Sequence, residues 1–365
     1  NASGREMGKI LKEKSLEMND LARQGKLILA EFMLGNINNL RRKLDLRTVK
    51  SPNQFIGGMT PLKIGQRLEY WPFEGEYWED ELGGSASYGG FSAAFHNRKN
   101  GGNGVALVGV VGQDFKLEHL EWYRKSGLEI SGIEENEGET FRWKGSYHGD
   151  MAEAVTHETH LNVFESFQPK VPEGQTSPKV LMCANLHPSL QSSVISQTNV
   201  ERVSILDSMN LWIDIANQEL RDVMTKVDIL ILNDAEVKML AGDDNLIRAA
   251  ESVLEMKQGG ILVVKRGEHG VLAMHPEGII SMPSYPTRQL TDPTGCGDSF
   301  AGAMAQYLTQ NTGEVSRNEL AESLVHATVT ASFTIENFGT ERIRNLSSEE
   351  YEKRLSEYRR ITNTS

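Results

Sequence analysis

Asp292-Pro-Thr-Gly-Cys-Gly-Asp298 runs straight into Ser299-Phe300-Ala301-Gly302-Ala303, a glycine-rich turn opening onto a helix of small residues. Gly295 and Gly297 free the backbone to turn tightly where the helix begins. Successive N–H groups and the positive end of the helix dipole then converge on one point, which makes an anion hole. Asp298, in the first turn, stands beside that point. A phosphoryl group held by the amides would lie next to a carboxylate able to take a proton from a hydroxyl. Alone, such a turn would mean only a tight helix start with Asp298 at its head, because glycine patterns are common.

Outward from it the chain has a strand–glycine–helix rhythm. Short apolar runs occur at Val105 to Val111, Val180 to Cys183, Val203 to Leu206, Val227 to Leu232 and Ile261 to Val264. Helical patterns fall at Leu117 to Ser126 (stopped by Gly127), 214–226, 245–257, 297–310, 317–336 and 347–361. Ser347 and Glu350 form a capping box for the last of these. This alternation predicts an α/β fold, a mostly parallel central sheet covered on both faces.

The 365 residues carry 38 Lys plus Arg and 50 Asp plus Glu, a net charge of −12. That balance disfavours a nucleic-acid coat or a polybasic membrane binder. The charge is uneven. Residues 1–54 hold eleven basic against six acidic side chains, 11 − 6 = +5, which leaves −12 − 5 = −17 for the rest. Ile10, Leu11, Leu21, Leu27, Ile28, Phe32 and Met33 give this arm a helical pattern. Its Arg41-Arg42-Lys43 run is the one place where RNA or a partner would touch, although a solvated helix face is the simpler reading. Cys183 and Cys296 make neither a disulfide framework nor a zinc site, so a reducing compartment is expected. No apolar run is long enough to span a bilayer. No secretory h-region opens the chain, which starts at Asn1. The expected location is the cytoplasm, or an organelle interior if a transit segment was removed upstream.

Two stretches break the rhythm. Residues 66–81 crowd Tyr70, Trp71, Phe73, Tyr77 and Trp78 among six acidic residues, and 139–165 alternate like strands through Phe141, Trp143, Leu161 and Val163. Both suit an antiparallel appendage. A pocket lid, a homodimer surface and an edge hairpin burying its aromatics remain open.

The 292–303 stretch resembles the closing signature Asp-x-Thr-Gly-Ala-Gly-Asp-x-Phe of the ribokinase-like (PfkB) carbohydrate kinase family, with Cys296 in the usual Ala place. Further landmarks follow in order: Leu82-Gly-Gly84, Val108-Gly109 with Val111-Gly-Gln-Asp114, Asp207-Ser-Met-Asn210, Asn233-Asp-Ala-Glu236 and Val264-Lys-Arg-Gly-Glu-His-Gly270. The resemblance spans about 55 to 340. It implies a three-layer αβα sandwich with a small β lid (about 60–82 and 139–165), preceded here by the 1–54 extension and followed by a C-terminal helix over 341–365 that packs on the kinase body.

It also implies roles. Asp298 would be the base, and Gly295, Cys296 and Gly297 the anion hole. Asn233, Lys265, Gly267, Gly270 and Gly339 would lie at the nucleotide, ATP. Asn233 and Glu236 would hold Mg²⁺ through waters, with Asn233 equally suited to cap a helix. Asp292 and Thr294 would be ligands of a K⁺ ion beside the anion hole. On the acceptor side the resemblance departs from its pattern. Phe55-Ile-Gly-Gly58 is followed by no Asp, and Tyr88 stands where an Asn is usual. Gly84, Ser85, Tyr88, Arg142, Asn162, Asn185 and His187 are the candidates there. Lys265-Arg266-Gly267 resembles the sugar-acid kinases of the family.

His157-Glu-Thr-His160 lacks metalloprotease spacing, and the chain has neither a P-loop motif nor a dinucleotide-binding Gly-x-Gly-x-x-Gly at a strand–helix unit. The expected activity is therefore transfer of the ATP γ-phosphate to a hydroxyl of a sugar or sugar-acid-like molecule. The rivals are a nucleoside kinase of the same fold and a kinase-fold assembly subunit with little activity.

Overall fold

The computed structural model describes residues 81–147, 151 and 154–363. The 1–54 extension, the Phe55–Gly58 segment and the lid stretch up to residue 80 lie outside them. The structure divides into two units, Asp80–Phe141 with Leu161–Ser365 and a smaller one that includes Arg142–His160.

The larger unit opens with helix α1 (Ser85–Asn100), strand β1 (Val105–Gly112), helix α2 (Leu117–Lys125) and strand β2 (Leu128–Asn136). β1 and β2 pair in parallel with Val105 opposite Leu128, the crossover made by α2. Gly127 (φ 81°) ends α2, as its sequence position foretells. The hairpin of β3 (Arg142–Tyr147) and β4 (Ala154–His160) belongs to the smaller unit and is antiparallel, Arg142 opposite His160.

The chain then lays down β5 (Val180–Cys183), α3 (Pro188–Ser196), β6 (Val203–Asp207), α4 (Asn210–Ile215), α5 (Asn217–Met224), β7 (Ile229–Asn233), α6 (Asp234–Ala241), α7 (Leu246–Lys257) and β8 (Ile261–Lys265). β9 (Val271–His275) and β10 (Gly278–Met282) follow, then α8 (Cys296–Leu308), α9 (Arg317–Thr334), α10 (Glu341–Arg344) and α11 (Ser348–Thr362). Strands β5 to β10 form one six-stranded sheet in the order β10-β9-β8-β7-β6-β5. β5 to β8 run parallel, and β9 and β10 are antiparallel additions at one edge.

Side-chain alternation assigns the two faces. Val203, Ile205, Ile229, Ile231, Ile261 and Val263 meet Phe300, Met304 and Leu308 of α8 and Leu320 and Leu324 of α9. Leu206, Leu230, Leu232, Leu262 and Val264 meet α3 to α7 through Val194, Ile213, Leu220, Met224, Val237 and Val253. Each such buried aliphatic contributes about 1.5–3 kcal/mol. This is the expected three-layer αβα sandwich.

One helix differs from expectation. The 214–226 pattern is two helices, broken at Ala216 (φ −137°, ψ 38°). The Asn217 side-chain amide donates to the Ile213 carbonyl at 3.0 Å, taking the bond that a continuous helix would give to the backbone. The C-terminal helix α11 buries Tyr351, Leu355 and Tyr358 in one core with Phe91 of α1 and Phe333 of α9. The Tyr358 hydroxyl donates to the Pro283 carbonyl at 2.7 Å, and Arg354 pairs with Glu336 at 2.7 Å. Among the described residues no helix is long and apolar enough to cross a membrane.

Candidate active site

The 292–298 turn is fastened before α8 begins. The Thr291 and Asp292 amides both donate to the Ile335 carbonyl, at 2.9 and 3.2 Å. The Asp292 carboxylate accepts from the Thr294 amide at 2.9 Å, and from the Thr294 hydroxyl and the Gly339 amide. Burial raises its proton affinity, and these bonds oppose the rise. Asp292 and Thr294 thus share one knot with Gly339, which lies far along the chain.

Gly295 sits at φ 77°, in the left-handed region, and a Cβ there would lie 2.3 Å from the Tyr88 ring. Only glycine fits. Tyr88, at 2% exposure, is therefore the floor under the turn. Of the three amides expected at the anion hole, that of Cys296 donates to the Pro293 carbonyl at 3.2 Å. The Gly297 amide follows at a first-turn position, where a helix offers no backbone acceptor.

Asp298 lies in that first turn, half-buried. Its carboxyl is pushed up to about 6, mainly by burial and then by the Asp207 charge, against the pull of Lys265 and a hydrogen bond with Ser85. Ser85 opens α1, so the two helix starts meet at the base. Lys265 ends β8, and its ammonium lies 2.9 Å from Asp207 Oδ1 at the end of β6. A Cβ on Gly297 would come within 3.1 Å of Lys265 Nζ, so the lysine runs directly against the anion-hole turn. Burial opposes its charge, but Asp207, Glu236 and Asp298 outweigh that and hold it above the usual lysine range.

Asn233 and Glu236 form a reciprocal capping box at the start of α6. Asn233 Oδ1 accepts from the Glu236 amide, and Glu236 Oε2 accepts from the Asn233 amide, both at 2.7 Å. The helix-cap role is thus real. Burial raises Glu236 to about 7, with Lys265 pulling the other way. Among the described residues no group of three or more His, Cys, Asp or Glu side chains closes on a point. One buried carboxylate with an amide oxygen beside it suits Mg²⁺, which keeps its waters and takes ligands from substrate phosphates.

The other candidates are more scattered. Gly267 (φ 52°) and Gly270 (φ 85°) bracket the turn after β8, and a Cβ on Gly270 would meet the Met282 carbonyl at 2.0 Å. Gly84 precedes α1 at φ 87°. Asn185 accepts from Trp212 Nε1 at 2.9 Å and donates to Met209 Sδ at 3.1 Å, beside His187, whose ring meets Trp212 edge-on. Asn162, left-handed at φ 50°, donates to the Thr140 carbonyl at 2.8 Å, and Asp114 grips Thr140 from the other side at 2.6 Å. These bonds commit both to a loop. Arg142 is the first residue of β3 in the smaller unit and is exposed. In the sequence Asp207 stands out only as the start of the Asp207-Ser-Met-Asn210 motif. The one signal for it was an acid closing a fully buried strand, for burial of a carboxylate demands a partner.

The fold is the ribokinase-like one, shared with solved structures of that class. The chain belongs to the pfkB family of carbohydrate kinases, whose profile matches residues 94–345. It is 28% identical over 225 residues to a cytidine kinase of Thermococcus kodakarensis, covering 60% of this chain and 77% of that protein. In structure it is similar to the Burkholderia thailandensis nucleoside kinase in complex with inosine, with a TM-score of 0.62 at 18% identity over 76% of this chain and 86% of that one. It is also similar to a ribokinase II of E. coli in complex with ATP and Mg²⁺, with a TM-score of 0.59 at 18% identity over 81% of this chain and 94% of that one.

Proposed function

We propose that this chain transfers the γ-phosphoryl group of ATP to a sugar hydroxyl of a nucleoside, with Asp298 as the base. The observation that carries this is Asp298 in the first turn of α8, with its carboxyl pushed up to about 6 and Lys265 beside the glycine turn. The acceptor hydroxyl gives its proton to the Asp298 carboxylate as its oxygen bonds to the γ-phosphorus. The bond from that phosphorus to the bridging oxygen breaks, and ADP leaves with the electron pair. Charge on the transferred group is met by the α8 amides and the Lys265 ammonium. Glu236 and Asn233 would hold Mg²⁺ through waters, where it neutralises the phosphate charge.

A nucleoside is favoured over a free sugar acid for two reasons. A cytidine kinase is among this chain's relatives, and Lys265, which opens the Lys265-Arg266-Gly267 stretch that suggested sugar acids, is engaged by Asp207. An intact charge constellation around Asp298 also speaks against a purely structural subunit. The test is a coupled ATP-turnover panel of cytidine, uridine, inosine, ribose and keto-deoxy sugar acids, run on the wild type and on Asp298→Asn. Nucleosides should turn over. Asp298→Asn should lower kcat by roughly 10²–10⁴ while ATP still binds. Phosphorylation of sugar acids alone overturns the acceptor, and an Asp298→Asn variant as fast as the wild type overturns the base.

A further inference from the structure

Asp207 and Lys265 end strands that are not neighbours, since β7 runs between β6 and β8. Two strand spacings amount to about 10 Å. A contact of 2.9 Å between the two ends is closed only by a long side chain reaching over the end of β7. Alternation sends both onto the α8 face: Val203 and Ile205 precede Asp207 there, and Ile261 and Val263 precede Lys265. The ammonium finishes against Gly297, at the positive end of α8. A cation left to itself would be driven from that place by the helix dipole. Asp207, at 3% exposure, supplies the opposite charge and a direct hydrogen bond.

We propose that Asp207 is a positioning residue for phosphoryl transfer, holding the Lys265 ammonium against Gly297 at the mouth of the anion hole. At pH 8, where Asp298 is ionised with or without the Asp207 charge, it acts on the reaction through that lysine. This rests on the reading of the 292–298 turn as the phosphoryl site. The glycine at 297 is part of the device, because a Cβ there would come within 3.1 Å of the ammonium and crowd it by a few tenths of an ångström.

The experiment is a double-substitution cycle on kcat and the ATP KM at pH 8: wild type, Asp207→Asn, Lys265→Met and the pair, each with its Tm. Asp207→Asn should lower kcat about ten- to hundredfold, with a smaller change in KM. In the Lys265→Met background the same Asn substitution should change kcat by less than about twofold. Lys265→Gln gives the same cycle if the Met variant does not fold. An equal kcat loss from Asp207→Asn in both backgrounds means that Asp207 acts on its own, and overturns the proposal. A lowered Tm with intact kcat overturns it too. Asp298→Asn is measured alongside. Wild-type turnover in that variant condemns the phosphoryl-site reading itself, whereas a failed cycle beside an inactive Asp298→Asn condemns only the role of Asp207.

Discussion

A general base serves best when its proton affinity lies near the working pH, and burial beside a second carboxylate moves an aspartate in that direction. Asp298 is raised to about 6 from the usual 3.8 by burial and Asp207, against Lys265 and Ser85. The base must be unprotonated to act. Turnover should therefore hold above neutrality and fall as pH drops through about 6, well above the pH at which an ordinary aspartate would lose activity; initial rates from pH 5 to 8 at saturating ATP measure this. The linkage to stability has the opposite look from a paired surface acid. Between the unfolded and folded values the folded chain keeps a proton that the unfolded chain has released, so stability falls as pH rises through that window. Asp298→Asn should flatten that part of the Tm–pH curve. Turnover that stays flat down to pH 5, with no change in the Tm curve, would show that the carboxyl is not raised.

Helices α1 and α8 touch at glycines, and this contact sets where α8 begins. A Cβ on Gly302 would lie 2.2 Å from the Gly89 carbonyl, and one on Gly89 would lie 3.4 Å from the Asp298 carbonyl. The Ser92 hydroxyl donates to the Ser299 carbonyl at 2.6 Å across the same seam. Gly302→Ala must push the helices apart and should cost about 1–3 kcal/mol. Because Ser85 and Asp298 meet across that seam, kcat should fall together with Tm; thermal melts and turnover of this variant check both, and no change in either would refute the seam. At this scale much was legible beforehand. Short aliphatic runs in β6, β7 and β8 announced the strands and a sheet covered on both faces. The β9–β10 hairpin was not foreseen, because its connection is Pro276-Glu277 rather than an Asn-Gly pair. The glycine turn and the Asn233–Glu236 pair were local patterns and could be read directly. Asp207 could not be given its role, because its partner is 58 residues away and the pairing exists only once β6 and β8 flank β7. That the Tyr88 ring lies under Gly295 is equally hidden in the sequence, because the two meet only in the folded chain.

Over the whole molecule the charge is −12, yet the substrate of the proposed reaction is an anion. Local groups and long-range field then oppose one another. The α8 amides and Lys265 attract phosphate at contact, in a half-buried place where salt screens little. The net charge repels ATP from a distance, and that term is open to screening: the Debye length is about 30 Å at 0.01 M salt and about 8 Å at 0.15 M. Raising the ionic strength across that range should remove the repulsion before it weakens the contacts. The kcat/KM for ATP should therefore rise severalfold between those two concentrations, at fixed Mg²⁺ and K⁺ with tetramethylammonium chloride as the added salt, while kcat stays constant. Proteins that steer an anionic substrate through a broad basic surface show the reverse slope. A fall in kcat/KM with added salt would mean that a positive field extends beyond the anion hole, and that capture of ATP is not confined to one helix end and one lysine.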